Sequence, residues 1–378
     1  MIYFQSLTQN ELSELLLPLS LDRLGRRSRL EESELLIKAK KQARFHAQQI
    51  YHWVYQRGVS QWEQMSDLSK DHRAWLIANL EVFRPKVCSR QESPDGTVKF
   101  LWEMGDSKTV EGVIIPAAEG ERFTGCISSQ VGCAMKCAFC VTGTQGVERN
   151  LEVHEIVAQV YELRQVSPLT NVVFMGMGEP LKNLDNVVKA CEILLDTDGM
   201  NFSKRKITVS TSGLVPAIAE LGARVDVSLA VSLNATTDEQ RSAIMPVNRK
   251  WNIAELLKAC REYPLGSHRR ITFEYVMLRD FNDTPDDARR LMKLVVGIPS
   301  KINLIPFNEH ASADFKRPSD ETVRAFQKLL VDAGMTATVR VSRGREISAA
   351  CGQLRSAVIA RESRSSDASQ GLSAVTSY

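Results

Sequence analysis

Cys126-Ile-Ser-Ser-Gln-Val-Gly-Cys133-Ala-Met-Lys-Cys137-Ala-Phe-Cys140-Val-Thr-Gly-Thr-Gln-Gly146 is the stretch around which the other segments take their meaning. Within it Cys133, Cys137 and Cys140 form a CxxxCxxC triplet. Soft thiolates gathered in one short loop suit zinc, copper(I) or an iron–sulfur cluster, and softness alone does not choose among these. A closed tetrahedral zinc site, or a cluster held wholly by protein, takes a fourth Cys or His close by. The next histidine, His154, falls in a helical pattern instead. A four-iron cube held at three corners, with the fourth iron open to another ligand, fits the triplet better than a core of buried cysteines or a degenerate zinc knuckle.

Downstream of this loop the hydrophobic period switches back and forth. Strand-like runs occur at 171–175, 206–210, 225–233, 270–277, 301–305 and 336–341, with helical patterns at 153–164, 184–195, 215–221, 252–261, 284–296 and 320–331 between them. Regular alternation implies βαβ units and a mostly parallel sheet, here a partial (β/α)6 barrel of the TIM type with its chemistry at the C-terminal strand ends. Upstream, 98–102 and 109–115 read as a hairpin turning at Gly105-Asp106, which leads into the cysteine loop. Glu111 sits in its second strand, where a carboxylate is most often the solvent-side member. Residues 1–90 read mainly helical, with Asp67 as an expected N-cap. His46, His52 and His72 lack ligand spacing and are expected to be structural or surface residues.

The bulk numbers set bounds. The chain has 378 residues, 43% of them hydrophobic and 25% charged, and a formal net charge of +3, which permits a nucleic-acid partner without demanding one. The N-terminus lacks a basic region followed by an apolar one, and Leu15-Leu-Leu is too short to span a bilayer, so a cytoplasmic location is expected. Eight cysteines in a chain of this length point to metal or catalysis rather than a disulfide framework. Arg23, Arg26, Arg27 and Arg29, with Lys204, Arg205 and Lys206, are either phosphate contacts or a solvated face.

Small polar groups end several of the strands: Gly176-Met-Gly178-Glu179-Pro180, Ser210-Thr-Ser-Gly213, Ser232-Leu233-Asn234 and Pro306-Phe-Asn308. Any one of them is explained by a tight turn; together they suit a polar cofactor. The third glycine of a dinucleotide fingerprint is missing. The triplet has the spacing of the radical S-adenosylmethionine (SAM) superfamily. With these strand ends and the late Arg343-Gly-Arg-Glu-Ile-Ser-Ala-Ala-Cys351-Gly-Gln-Leu354, the sequence resembles the RlmN/Cfr family of radical SAM RNA adenine methyltransferases. The similarity runs from Arg44 to Leu354.

The resemblance implies the following. Cys133, Cys137 and Cys140 ligate one [4Fe–4S] cluster per chain. Gly178, Glu179, Ser210, Ser232, Leu233, Asn234 and Asn308 hold SAM, two molecules of which are consumed per methylation. Cys351 carries the methyl group, Cys126 is its resolving and disulfide partner, and Glu111 is the catalytic base. Asn234 departs from the His that many members carry. The expected product is a C2-methylated adenosine in 23S rRNA and tRNA, with C8 methylation or a non-catalytic metal-bearing RNA-binding protein as alternatives. The expected partners are these RNAs and a one-electron reductant such as a flavodoxin system, with a monomeric chain and no membrane. The expected layout is a helical N-terminal domain at 1–90 that docks RNA, a β-hairpin connector at 91–116, a radical SAM core at 117–354 and a flexible tail at 355–378.

Overall fold

In the N-terminal quarter, helices form where small or apolar residues recur every third or fourth position. Ala39, Ala43 and Ala47 are fully buried at a spacing of four, which lets two helices approach closely. A computed structural model of the chain describes residues 1–26, 31–117, 120, 122–340, 342–350 and 352–354. It begins with α1 (Gln9–Gly25), α2 (Glu32–Tyr51) and α3 (Lys70–Asn79), clasped by parallel two-residue strands β1 (Ile2–Tyr3) and β2 (Leu80–Glu81). Thr8 caps α1 in a capping box: its hydroxyl accepts from the Glu11 N–H at 3.3 Å, and the Glu11 carboxylate accepts from the Thr8 N–H at 2.8 Å. The cap of α3 is Ser69, not Asp67; Asp67 accepts a hydrogen bond from the Trp53 indole at 2.6 Å instead.

At the junction of these helices Arg23 Nη1 lies 2.7 Å from His72 Nδ1, and the His46 ring lies against His72, tilted by 54° with centroids 3.9 Å apart. Burial, reinforced by the nearby His46 and Arg23 charges, pulls His72 down to about 4. His72 is thus neutral in the folded chain across a range where the unfolded chain, with its ordinary value near 6.5, takes up a proton. Its stabilising contribution is complete above about pH 6.5 and drains away as pH falls toward 4. Thermal melts followed by circular dichroism are expected to show the native chain losing more stability between pH 6.5 and 4.5 than a His72→Gln variant; identical pH slopes would contradict this.

The main sheet starts with three antiparallel strands, β3 (Lys86–Glu92), β4 (Val98–Glu103) and β5 (Thr109–Pro116), followed by β6 (Phe123–Cys126). A separate ribbon, β7 (Gln130–Cys133) with β8 (Gly146–Asn150), brackets the cysteine loop and the short α4 (Val141–Thr144). Then α5 (Val153–Val166), β9 (Leu169–Phe174), α6 (Leu184–Leu195), β10 (Ile207–Thr211), α7 (Val215–Arg224), β11 (Ser228–Ser232), α8 (Asp238–Ile244) and α9 (Ile253–Glu262) follow. The chain continues through β12 (Ile271–Met277), α10 (Pro285–Leu294), β13 (Ser300–Pro306), α11 (Asp320–Asp332) and β14 (Ala337–Val339). The sheet order is β3-β4-β5-β6-β9-β10-β11-β12-β13-β14, and every pairing from β6 to β14 is parallel.

The partial α/β barrel anticipated from the alternation is therefore present. It has one more parallel strand than the periodicity gave, because β6 precedes the cysteine loop. Its four residues, Phe-Thr-Gly-Cys, are too few and too polar to stand out as an apolar run. The expected hairpin likewise gains an outer partner in β3, a charged edge strand whose side chains are mostly exposed. No helix of the described residues is long and apolar enough to cross a membrane.

Register places the chemistry. Lys99 lies opposite Val113, and Val113 lies opposite Cys126. Directly opposed residues share a face, as do residues two apart on one strand, so Lys99, Glu111, Val113 and Cys126 stand on the same side of the sheet. On β10, β11 and β12 the corresponding inward positions are Ser210, Ser232 and Glu274.

Candidate active site

Backbone contacts tie the cysteine loop to its surroundings. Gly132, at φ +76°, lets the Gly146 carbonyl come so close that a Cβ there would sit 2.0 Å from its oxygen, so the ribbon closes only around glycine. The Ala138 N–H donates to the Ile244 carbonyl at 2.9 Å, tying the loop to α8, and the Cys140 N–H donates to the Cys137 carbonyl at 3.1 Å. Cys133, Cys137 and Cys140 all line one cleft, together with Met135 and Phe139. Burial pushes the Cys133 thiol up to about 12 and the Cys137 thiol well above its ordinary value. As thiolates they need a positive centre beside them.

The same cleft is lined from the other side by the strand ends. It contains about 900 Å³ not filled by protein atoms and is open to solvent. Gly178, Glu179, Ser210, Ser232, Asn234 and Asn308 all border it. Gly178, at φ +102°, has a role the sequence did not suggest: a side chain there would collide with Gln130 at 2.6 Å, so it packs the β9 turn against the cysteine ribbon. The Glu179 carboxylate accepts from the Ser212 N–H at 2.7 Å, the Ser212 hydroxyl at 2.8 Å and the Leu181 N–H at 3.1 Å. Burial raises its pKa and these hydrogen bonds oppose the rise. Asn234 adopts φ +57°, and its Oδ1 accepts from the Val276 N–H at 2.8 Å, so it bridges two strand ends. The Asn308 Oδ1 is buried and has no hydrogen-bond partner among the described residues, an acceptor left for a ligand.

Leu233 is placed differently from the rest: it is fully buried and not among the lining residues, and only its backbone serves the site. Its carbonyl accepts from Arg241 Nε at 3.1 Å. Arg241, which sequence reading passed over, is fully buried and also donates to the carbonyls of Ser212 at 2.7 Å and Ser232 at 3.1 Å and to Asn248 Oδ1 at 3.0 Å. One guanidinium thus gathers the ends of β10 and β11. Burial pulls its pKa down to about 10, so it stays charged at neutral pH. Arg241→Met strands several buried acceptors at roughly 1–3 kcal/mol each. Urea unfolding is expected to show a loss of about 3 kcal/mol or more; an unchanged midpoint would remove Arg241 from this role. Thr211, Ser212 and Glu274 also line the cleft without having been singled out. Glu274 carried a signal, a carboxylate within an otherwise apolar strand; the other two had none beyond their motif.

A second cleft adjoins the first, sharing Met175, Ile305 and Asn308 with it. It is lined by Cys126, Arg340, Ser342, Arg343, Ala350 and Leu354 among others. Cys351 lies outside the described residues. Its neighbours border the two clefts, Ala350 the second and Gly352 the first, and the Gly352 carbonyl accepts from the Val141 N–H beside Cys140 at 2.7 Å. No disulfide joins two of the described cysteines. Glu111 is 2% exposed, so it is not the solvent-side carboxylate of an amphipathic strand. Its Oε1 lies 3.3 Å from the equally buried Lys99 Nζ, and its carbonyl accepts from the Ser128 hydroxyl at 2.7 Å. Cys88 is exposed on the edge strand, while Cys191 and Cys260 are buried away from the clefts.

The donor set suits an iron–sulfur cube: three soft thiols border one cleft. A parallel α/β sheet with such a trio at its mouth and polar strand ends facing it is the architecture of a radical SAM enzyme. A profile of the radical SAM superfamily matches residues 127–295, and one of the ribosomal RNA large subunit methyltransferase N-terminal domain matches residues 29–82. The chain is 52% identical to a dual-specificity RNA methyltransferase RlmN of Geotalea uraniireducens, over 86% of this chain and 94% of that one. It is equally identical to its counterpart in Geobacter sulfurreducens, over 86% and 90% of the two chains. A crystal structure of a radical SAM methyltransferase from Sphaerobacter thermophilus superposes with a TM-score of 0.81 at 40% identity, covering 94% of this chain and 99% of that one. The chain belongs to the RlmN family of radical SAM RNA methyltransferases.

Proposed function

We propose that this chain methylates C2 of an adenosine in 23S rRNA and in tRNA, through an S-methylcysteine formed on Cys351. The observation that carries the reading is the pair of joined clefts: one bordered by the cysteine triplet and polar strand ends, the other by Cys126, with the residues on either side of Cys351 bordering one each. The dual-specificity name of the relatives favours two RNA substrates, and RlmN rather than Cfr relatives favour C2 over C8.

Cys133, Cys137 and Cys140 would hold one [4Fe–4S] cluster, and Gly178, Glu179, Ser210, Ser232, Asn234 and Asn308 would hold SAM. Bound there, and given one electron from a flavodoxin-type donor, the pair supplies a 5′-deoxyadenosyl radical capable of taking hydrogen from a methyl group. Cys351 accepts a methyl group from a first SAM and presents it, so the carbon reaches a ring position that has no nucleophile of its own. Once the carrier's carbon is joined to the ring and the adduct has returned one electron to the oxidised cofactor, the Glu111 carboxylate would accept the ring proton. The Cys126 thiolate then attacks the Cys351 sulfur; the sulfur–carbon bond breaks, its electrons stay with carbon, and that carbon takes up a proton to become the methyl group. The Cys126–Cys351 disulfide left behind must be reduced by an external thiol. Two SAM molecules are spent per methyl group. The target base must leave its stack to reach the cleft, which an RNA loop allows most easily. The N-terminal helices are a docking surface in this reading, the chain acts as a monomer, and its RNA substrates place it in the cytoplasm.

The test is incubation of anaerobically reconstituted protein with SAM, a reductant and unmodified RNA, followed by mass spectrometry of the nucleosides. 2-Methyladenosine from both rRNA and tRNA is expected. 8-Methyladenosine would reassign the position, and no methylated adenosine would remove the activity.

A further inference from the structure

A buried cation stands where the first strands of the sheet meet the segment that follows the last one. Lys99 on β4 is 4% exposed; its Nζ lies 3.3 Å from Glu111 Oε1 and 3.4 Å from the Ser348 carbonyl. Two contacts beside it make the same crossing. The Asp95 carboxylate accepts from the Gly344 N–H at 2.9 Å, and the Asp95 carbonyl accepts from Arg343 Nη1 at 3.3 Å. Residues 343–348 are thereby fastened to the 95–99 segment, three residues before Cys351.

Withdrawing an ammonium from water is costly unless it is paired and hydrogen-bonded, and an apolar side chain of similar length fills the same volume more cheaply. A lysine at this point therefore calls for a role that a methionine cannot fill. We propose that Lys99 is the positioning residue for release of the methylated base. Its ammonium pairs with the Glu111 carboxylate and holds it aimed, while its second contact fixes the distance from that carboxylate to the segment bearing Cys351. A proton acceptor works only within hydrogen-bond reach of the proton it takes, and here the acceptor is on β5 while the carrier follows β14 in the sequence. Lys99 touches the acceptor and, at the Ser348 carbonyl, the segment that leads to the carrier. The role presupposes that Glu111 takes the ring proton and that Cys351 carries the methyl group, as proposed above.

A purely structural lysine and a positioning lysine differ in which step fails. In Lys99→Met, iron content, S-methylation of Cys351 and RNA-dependent formation of 5′-deoxyadenosine are expected to stay near native levels. Product release is expected to slow by about 100-fold, the lower end of what a general base contributes. The stalled species is a covalent protein–RNA adduct, visible as a shifted band on a denaturing gel and absent from Lys99→Met/Cys351→Ala. Lys99→Arg, which keeps the charge, is expected to recover at least a tenfold share of the loss. Native-rate release by Lys99→Met would overturn the proposal, and so would an equal decline in Cys351 methylation, adduct and product. Glu111→Gln separates the two layers. If it stalls as the adduct and Lys99→Met does not, the role of Lys99 fails alone. If Glu111→Gln releases product normally, the assignment of Glu111 fails and takes this proposal with it. Should Lys99→Met not fold, Lys99→Gln, uncharged but still a donor, is judged by the same gel.

Discussion

Cys351→Ala is expected to bind as much iron as the native chain and to cleave SAM under reductant, yet to form no methylated adenosine. The loss is expected to be about 1,000-fold or more, because removing a covalent carrier leaves no alternative route for the methyl group. The side chain is small, so the substitution should spare the fold. The Val141 N–H to Gly352 carbonyl bond, which fastens this segment beside Cys140, is made by backbone and survives it. Cys126 provides the internal contrast. It stands on β6 opposite Val113, on the face shared with Lys99 and Glu111. Cys126→Ala should still load Cys351 and join it to RNA, and then stop, because the sulfur that must release the product is missing. Product yield would fall comparably while a protein–RNA adduct accumulates. Native-level methylation by Cys351→Ala would exclude a cysteine carrier altogether.

Removing any one of Cys133, Cys137 or Cys140 is expected to act earlier and abolish everything downstream. With two thiolates left the cube loses a corner ligand, and the absorbance of the reconstituted cluster should collapse together with SAM cleavage and Cys351 loading. The outcome differs from that of Cys351→Ala in kind, since iron content falls. Burial holds the Cys133 and Cys137 thiols in their neutral form unless a positive centre sits beside them. The apo chain should therefore tolerate alanine at these positions well, and unfolding midpoints measured without iron should move little. A variant that kept its full iron content would show that the missing cysteine is not a ligand.

The cysteine loop and the strand–helix alternation were legible because both are local signals: a fixed thiol spacing, and apolar residues at the period of their element. The polar strand ends were legible for the same reason, each closing an apolar run. What escaped depends on contacts across the sequence. β6 was missed because a four-residue strand with Thr and Gly has no pattern of its own and takes its identity from β5 and β9 on either side. The burial of Glu111 was missed because strand alternation shows two faces but not which of them is covered. Here it is the face that meets the 342–350 segment, more than 200 residues on. Arg241 gave no signal in a polar helix, since all but one of its partners are backbone carbonyls and any residue supplies those. Gly178 reads in the sequence as a place where backbone meets ligand; the structure shows it as the place where backbone meets Gln130.

The central claim is that three thiolates hold a cube whose remaining corner is free for SAM. Iron and sulfide analysis of the anaerobically reconstituted native chain, followed by addition of SAM and a reductant, tests it most directly. About four irons and four sulfides per chain, with formation of 5′-deoxyadenosine and methionine, is the result the account predicts. A single zinc in place of iron, or a complete cluster that leaves SAM intact under reductant, would contradict it.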